Sequence, residues 1–303
     1  NDTATTEIYT LTHSSAASDV YKRQGESHVV RSWLVRPYEG DTTAVVARFG
    51  TVNTARACLP LSVLLAVCAT PAVAAGGADV GADASAPERV LFIGNSHTRR
   101  HGGLDWQIGN FVAGEAAPRT YEGEIVADGG ATLADHWARG AARGIGDGDF
   151  DVVVLQGWLA GASTASVEPF LEHARLFDEV ITDAGARTVL FMTWPRDHGD
   201  WSTLDDAVAA HRRLERELGV VVAPAAMAIE RARAERPDLP LIDPDGIHAT
   251  WEGAYLAAAT VYATLFGRSP EGLDYDFGVD PETAAYLQRV AAETLAAWRA
   301  GEA

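Results

Sequence analysis

The chain of 303 residues is 47% hydrophobic and 22% charged, a length and composition that suit one medium globular domain with extensions. Its formal net charge of −18 repels nucleic acid and anionic lipid, which makes both poor candidate partners. The chain has only two cysteines, Cys58 and Cys68, so neither a disulfide framework nor a cysteine-based zinc site can be built, and we expect no metal and no cofactor.

Residues 52–75 have the features of a secretory signal peptide. Arg56 precedes an apolar run, and Ala72-Val73-Ala74 is a small-x-small cleavage signal. The alternative is a buried core helix. No stretch of the chain reaches the ~20 apolar residues needed to span a bilayer, so we expect no membrane span. We predict a secreted or periplasmic protein that is cleaved near Ala74.

The segments that flank this signal predict the remaining domain boundaries. Residues 7–24, EIYTLTHSSAASDVYKRQ, resemble translated sequencing-adapter sequence, and we expect residues 1–51 to be a non-native or disordered leader. A genuine polar leader is the alternative. Residues 76–87 are small and rich in Gly and Ala, as is typical of a flexible linker. The folded domain is therefore predicted over residues 88–303.

Five short apolar runs in this domain are predicted strands. Most are continuous and β-branched rather than alternating, which is typical of strands that are covered on both faces. The runs are Val90–Ile93, Glu122–Ala127, Asp151–Leu155, Thr188–Met192 and Val220–Val222.

Helical stretches alternate with the later strands. They are Val167–Ala184, Leu204–Leu218, Trp251–Phe266 and Pro281–Ala300, the last with Asp280 as its predicted N-cap. This alternation predicts an α/β fold with a parallel sheet covered by helices on both sides. In such folds ligands bind at the carboxyl ends of the strands, where we expect the chemistry.

The first strand is followed by Gly94-Asn95-Ser96, which places a hydroxyl at a strand end and near the start of a helix. The free N–H groups of a helix start favour a developing anion, so Ser96 is a candidate nucleophile. We expect Gly94 to adopt a turn conformation that other residues resist. A plain N-cap role for Ser96 is the alternative.

A late loop carries Asp245 and His248 at a spacing that can place the carboxylate against the imidazole ring. Such a contact fixes the tautomer and stabilises the imidazolium formed when His takes a Ser proton. Asp243 is a second candidate for the carboxylate. A helix-capping Asp beside an incidental surface His is the alternative, but with Ser96 the residues fit the order Ser, Asp, His.

Two further strand ends could supply donors for an oxyanion. The backbone around Gly130 follows the second strand and allows close approach of a substrate, and Gln156 directly follows the third strand. A plain turn and a polar strand terminator are the respective alternatives.

Three segments, VLFIGNSHT, VADGGATLADHW and DPDGIHAT, resemble sequence blocks of the SGNH (GDSL-like) hydrolase superfamily, and the resemblance covers Val90 to Phe266. It implies a flavodoxin-like three-layer α/β/α fold and acyl-ester hydrolysis without a metal. It also implies that Ser96 is the nucleophile, that His248 is the base oriented by Asp245, and that the N–H groups of Ser96 and Gly130 hold the oxyanion.

The remaining block departs from the superfamily pattern, since Gln156-Gly157-Trp158 stands where most members have Gly-x-Asn-Asp. This is similar to branches that carry Gln-Gly here, among them sialate O-acetylesterase-like enzymes. The segments GNSHT and GGATLADHW, together with FMTW at residues 191–194, resemble a poorly characterised bacterial branch of the superfamily. The resemblance implies that the Gln156 amide replaces the Asn as an oxyanion donor.

Residues beside these positions are predicted to contact substrate. They are Asn95, His97, Trp158 and Trp194. The alternative role for His97 is packing, and the alternative for Trp158 and Trp194 is a place in the core. We expect Trp106 to be a core residue.

The sequence thus predicts a secreted serine esterase with small-molecule or carbohydrate esters, acetyl esters among them, as substrates. An acyltransferase with the same triad and a non-catalytic carbohydrate-binding protein are the alternatives.

Overall fold

The structure, a computed structural model, describes residues 88–157, 167–197 and 203–302. The predicted leader, signal peptide and linker before residue 88 lie outside the described residues, as does Trp158. Among the described residues, no helix combines the length and apolarity needed to cross a membrane.

Five parallel strands form one sheet in the order β2-β1-β3-β4-β5, which confirms the predicted parallel α/β architecture. The strands are β1 (Glu88–Gly94), β2 (Tyr121–Ala127), β3 (Val152–Leu155), β4 (Arg187–Phe191) and β5 (Val221–Ala223). Strands β1 and β3 lie in the middle and are almost fully buried, whereas β2 alternates between half-buried and exposed residues because it forms an edge. The predicted bounds differ from these by one or two residues.

Nine helices are present in the described part of the chain. They are α1 (Ser96–Arg99), α2 (Leu104–Ala113), α3 (Leu133–Ala138), α4 (Ala141–Gly146), α5 (Val167–Asp183), α6 (Leu204–Leu218), α7 (Ala225–Glu235), α8 (Trp251–Phe266) and α9 (Pro281–Ala300). Four of them were predicted, and three of those, α6, α8 and α9, have the predicted bounds. Asp280 caps α9 by accepting hydrogen bonds from two backbone N–H groups of its first turn.

The helices form two layers around the sheet. Helices α2, α7, α8 and α9 pack together in one layer, and α3 to α6 form the other. Helix α8 is buried on all sides from Gly253 to Phe266, because its residues are mostly small and apolar. The three-layer α/β/α arrangement is therefore confirmed, and α8 fixes the position of the loop that precedes it.

Gly253 in α8 is held against that loop. A Cβ atom at Gly253 would lie 2.0 Å from the Leu241 carbonyl oxygen. Alanine normally gains ~1 kcal/mol over glycine inside a helix, but this backbone clash reverses the sign. We expect Gly253→Ala to lower the free energy of unfolding by ~1–3 kcal/mol, measured by denaturant unfolding.

Gly144 provides a matched control, because it also lies inside a helix and a Cβ atom there would meet nothing within 4 Å. We expect Gly144→Ala to leave the protein equally stable or up to ~1 kcal/mol more stable. A Gly253→Ala protein as stable as wild type, or as stable as the Gly144→Ala protein, would contradict the close contact between α8 and Leu241.

Candidate active site

The turn after β1 presents Ser96 as the first residue of α1. Asn95 caps this helix, and its side-chain Oδ1 accepts a hydrogen bond from the His97 N–H at 3.1 Å. Gly94 is required for a reason other than the expected turn conformation, since its φ is not positive. A Cβ atom there would lie 2.2 Å from the Thr98 Oγ1 and 2.6 Å from the Gln156 Oε1. Glycine therefore allows these two side chains to close around the turn.

The late loop brings His248 onto Ser96. The His248 Nε2 lies 2.9 Å from the Ser96 Oγ, and the His248 Nδ1 lies 2.7 Å from the Asp245 Oδ2. The hydrogen bond from His248, together with backbone N–H groups of the loop, lowers the pKa of Asp245 well below its usual value, so this side chain is a carboxylate at neutral pH. A carboxylate accepting from Nδ1–H leaves Nε2 free to accept a proton from the serine hydroxyl.

Asp243 occupies a different place. Its Oδ2 accepts a hydrogen bond from the Arg100 guanidinium at 2.8 Å, and it is Asp245 that contacts the imidazole ring. The Asp243 N–H donates to the His248 carbonyl oxygen at 2.7 Å, and an antiparallel bridge pairs Ile242 with Ala249. These bonds close the loop on itself, so the spacing of Asp245 and His248 is set by backbone structure.

The loop after β2 approaches the turn that carries Ser96. The Asn95 Nδ2 donates to the Ala131 carbonyl oxygen at 3.1 Å. Gly130 is exposed and has a φ of 70°, in the left-handed region that favours glycine. No acceptor among the described residues contacts the N–H of Gly130 or of Ser96. Both groups are thus available to a ligand at this edge of the sheet.

Gln156 contacts the turn that carries Ser96. It is 1% exposed, and its Oε1 accepts from the Asn95 N–H at 2.8 Å and from the Thr98 hydroxyl at 3.0 Å. The backbone N–H can only donate, which fixes the orientation of the amide. Its Nε2 donates to the Gly157 carbonyl oxygen at 3.3 Å. Gln156 therefore supports the turn that carries Ser96. One of its two amide hydrogens bonds to the backbone, and its role as an oxyanion donor stays a prediction.

Two substitutions separate these roles. Gln156→Glu keeps an acceptor for the Asn95 N–H but removes the amide donor, whereas Gln156→Met removes both. We expect the Glu variant to retain a larger kcat on 4-nitrophenyl acetate than the Met variant, because a buried N–H without an acceptor costs about 1–3 kcal/mol. Equal losses in both variants would instead support the oxyanion-donor role.

The other predicted substrate contacts are mostly enclosed. Asn95 is 1% exposed with its side chain engaged in the turn. Trp194 is 8% exposed, and its Nε1–H donates to the Ile247 carbonyl oxygen at 2.9 Å, so it supports the loop. Asn95 thus supports the turn, whereas Trp194 also lines a small cavity beside His248. Trp158 lies outside the described residues.

His97 lies against the site. Its ring centroid is 5.1 Å from that of Trp194 and 5.7 Å from that of His248. Burial, and then the charges of His248 and Arg100, lower the pKa of His97 to about 3, so its ring is neutral at neutral pH. It also lines the small cavity beside His248.

His136, in α3, contacts the end of β1 just before Ser96, a role that the sequence analysis missed. Its Nε2 lies 2.7 Å from the Gly94 carbonyl oxygen, and the residue is 1% exposed. The sequence signal that could have revealed this role is the position of His136 in the helix that Thr132 caps. There it shares the buried face with Leu133. Among the described residues, no group of three or more His, Cys, Asp or Glu side chains is arranged to hold a metal ion.

Trp106 was expected in the core, and this expectation is wrong because it is 50% exposed. Helix α2 buries Leu104, Ile108 and Phe111, which recur at helical spacing along one face. Trp106 lies on the other face and projects into solvent.

No protein-family model matches the chain, and a comparison with curated proteins also finds no match. Solved structures do match. A candidate SGNH hydrolase from Slackia heliotrinireducens is 24% identical, with 59% of this chain and 100% of that chain covered and a TM-score of 0.50. A DUF4886 family protein from Bacteroides uniformis is 18% identical, with 70% and 95% covered and a TM-score of 0.55. An acetylxylan esterase from Geobacillus stearothermophilus is 13% identical, with 61% and 96% covered and a TM-score of 0.50. The chain thus has the SGNH hydrolase fold.

Proposed function

We propose that the protein is a serine esterase in which Ser96, His248 and Asp245 form the catalytic triad. The observation that carries the proposal is the continuous pair of hydrogen-bond contacts from the Asp245 carboxylate through the imidazole to the Ser96 hydroxyl, at 2.7 and 2.9 Å. This is the geometry that a nucleophile, its general base and an orienting carboxylate require.

In this mechanism His248 takes the Ser96 proton as the Oγ attacks the ester carbonyl carbon. The tetrahedral oxyanion is held by the N–H groups of Ser96 and Gly130. His248 then gives its proton to the leaving alcohol, which leaves an acyl group on Ser96. Water, deprotonated by His248, attacks this acyl-enzyme and releases the acid, and the serine regains its proton.

We propose short acyl esters on carbohydrate as the substrates. One of the similar structures is named an acetylxylan esterase, and this analogy of fold supports the substrate class. The signal-peptide features of residues 52–75 fit secretion or export to the periplasm, with the catalytic domain beginning at residue 88.

Covalent labelling tests the proposal directly. A fluorophosphonate probe reacts with a serine that a neighbouring base activates, so we expect one probe per chain, mapped by mass spectrometry to the peptide that contains Ser96. Prior denaturation should abolish labelling. Labelling of a different serine would overturn the triad. If the native protein is neither labelled nor able to hydrolyse an ester, a binding protein on this fold is favoured instead.

A further inference from the structure

Two tryptophans beside the proposed active site are open to solvent. Trp106 is 50% exposed and Trp251 is 54% exposed, and in the described part of the chain Val126 is the only other large hydrophobic residue with such exposure. The half-buried Phe277 lies between them, with its ring centroid 5.5 Å from that of Trp106 and 4.7 Å from that of Trp251. We call these three residues the aromatic surface.

Two aromatic residues at this surface have a strained backbone conformation. In the described residues, only three residues other than glycine have a positive φ, and two of them, His101 at 53° and Phe277 at 58°, contact Trp251. A bulky residue resists this conformation, so neighbouring structure must impose it. Phe277 and Gly278 form the centre of a tight turn that the bond from the Val279 N–H to the Asp276 carbonyl oxygen closes. Strain of this kind accumulates at ligand sites.

The aromatic surface is continuous with the proposed catalytic residues. The His101 ring centroid lies 4.3 Å from that of Trp251, and His101 lines the same small cavity as His248. The His101 Nε2 is 2.9 Å from the Ala249 carbonyl oxygen, in the segment that joins His248 to α8. A substrate with its acyl carbon at Ser96 can therefore extend over the tryptophans.

The chemistry of the surface favours one occupant. Two of the aromatic residues have an acidic neighbour that is at least partly open to solvent, namely Glu252 beside Trp251 and Asp276 beside Phe277. Carboxylates accept hydrogen bonds from sugar hydroxyls but repel anionic groups, as does the net charge of −18. The Phe277 ring is inclined by 54° to that of Trp106 and by 57° to that of Trp251, so the surface offers ring faces in different directions.

We propose that the aromatic surface binds a neutral sugar residue of a glycan whose acyl group is cleaved at Ser96. Apolar C–H faces of the sugar pack on the exposed rings, and its hydroxyl groups reach the flanking carboxylates. This inference rests on the proposed esterase function and deepens it, since it makes the glycan, and not only the acyl group, a determinant of specificity.

Substrate preference provides the first test. We measure kcat/KM for 4-nitrophenyl acetate and for acetylated xylo-, manno-, cello- and chito-oligosaccharides. In wild-type protein we expect at least one of these glycans to be preferred, and we expect Trp251→Ala and Trp106→Ala each to lower the glycan-to-nitrophenyl ratio by tenfold or more. Tyr286→Ala is the matched control, because this aromatic residue lies between Arg236 and Arg289 and should leave the ratio unchanged.

Phe277→Asn separates binding from folding. Asparagine tolerates the left-handed conformation and, before Gly278, suits the turn, which offsets part of the packing lost with the Phe277 ring. The variant should therefore remain folded with a melting temperature near that of wild type. We expect the glycan-to-nitrophenyl ratio to fall at least fivefold all the same. An unchanged ratio in this folded variant would overturn the role of the Phe277 ring.

Direct binding distinguishes failure of the inference from failure of the esterase proposal. Ser96→Ala protein is titrated calorimetrically with the unacetylated neutral oligosaccharides and with oligogalacturonate. Binding of a neutral glycan that Trp251→Ala weakens tenfold supports the surface even if no ester is hydrolysed. If wild type cleaves 4-nitrophenyl acetate but no glycan binds, the esterase stands and the inference fails. A Trp251-dependent preference for 4-nitrophenyl octanoate or for oligogalacturonate would also overturn it.

Discussion

Ser96→Ala should lower kcat for 4-nitrophenyl acetate by ~10⁴-fold or more, because it removes the nucleophile and leaves only the oxyanion donors and substrate binding to act. The substitution deletes one oxygen atom, whose contact in the structure is the His248 Nε2 at 2.9 Å. The melting temperature should therefore change little. Initial rates with matched protein concentrations, and thermal unfolding of both proteins, measure the two effects.

Ser269→Ala is the matched control for this loss. Ser269 is exposed on a loop, where its hydroxyl contacts Glu271, and the same chemical change there should leave kcat unaltered. If Ser96→Ala retained more than a hundredth of the wild-type rate, hydrolysis would arise from another group, and the triad would be wrong.

The helix bounds were predicted most accurately where the sequence contains capping residues. Helix α6 begins with a capping box at Thr203 and ends at Gly219 in the left-handed conformation, and α9 begins with Asp280 and Pro281. These local signals are visible in sequence. The short helices α1, α3 and α4 were missed, since four to six residues are too few to show a helical period.

The candidate triad could be predicted because chain order and strand ends limit which residues meet. The direction of the Gln156 amide could not, since it depends on the Asn95 N–H, which lies 61 positions away in the chain. The exposure of Trp106 was also missed, although the spacing of Leu104, Ile108 and Phe111 indicated it. Tryptophan is a residue type that is usually buried, but the spacing of the apolar residues in α2 places Trp106 on the solvent-facing side of the helix.

The chemistry of Asp245 shows why an isosteric change at this residue should be severe. Its Oδ1 accepts from the N–H groups of Ile247 and His248, both at 2.9 Å, and its Oδ2 faces the imidazole Nδ1. In an asparagine the oxygen must remain toward the two backbone donors, which turns the NH₂ group toward Nδ1. Nδ1 then becomes the acceptor, and the proton of the neutral ring moves to Nε2.

Asp245→Asn should therefore lower kcat by ~10⁴-fold while the loop stays folded, because a protonated Nε2 cannot accept the Ser96 proton. Asp243→Asn is the control. Its carboxylate pairs with Arg100 and not with His248, so we expect its loss of kcat to stay within about tenfold, as for a partly exposed ion pair. Both variants are compared with 4-nitrophenyl acetate and by fluorophosphonate labelling rate. A larger loss from Asp243→Asn would assign the orienting carboxylate to Asp243, whereas small losses from both would mean that His248 needs no carboxylate to act as the base.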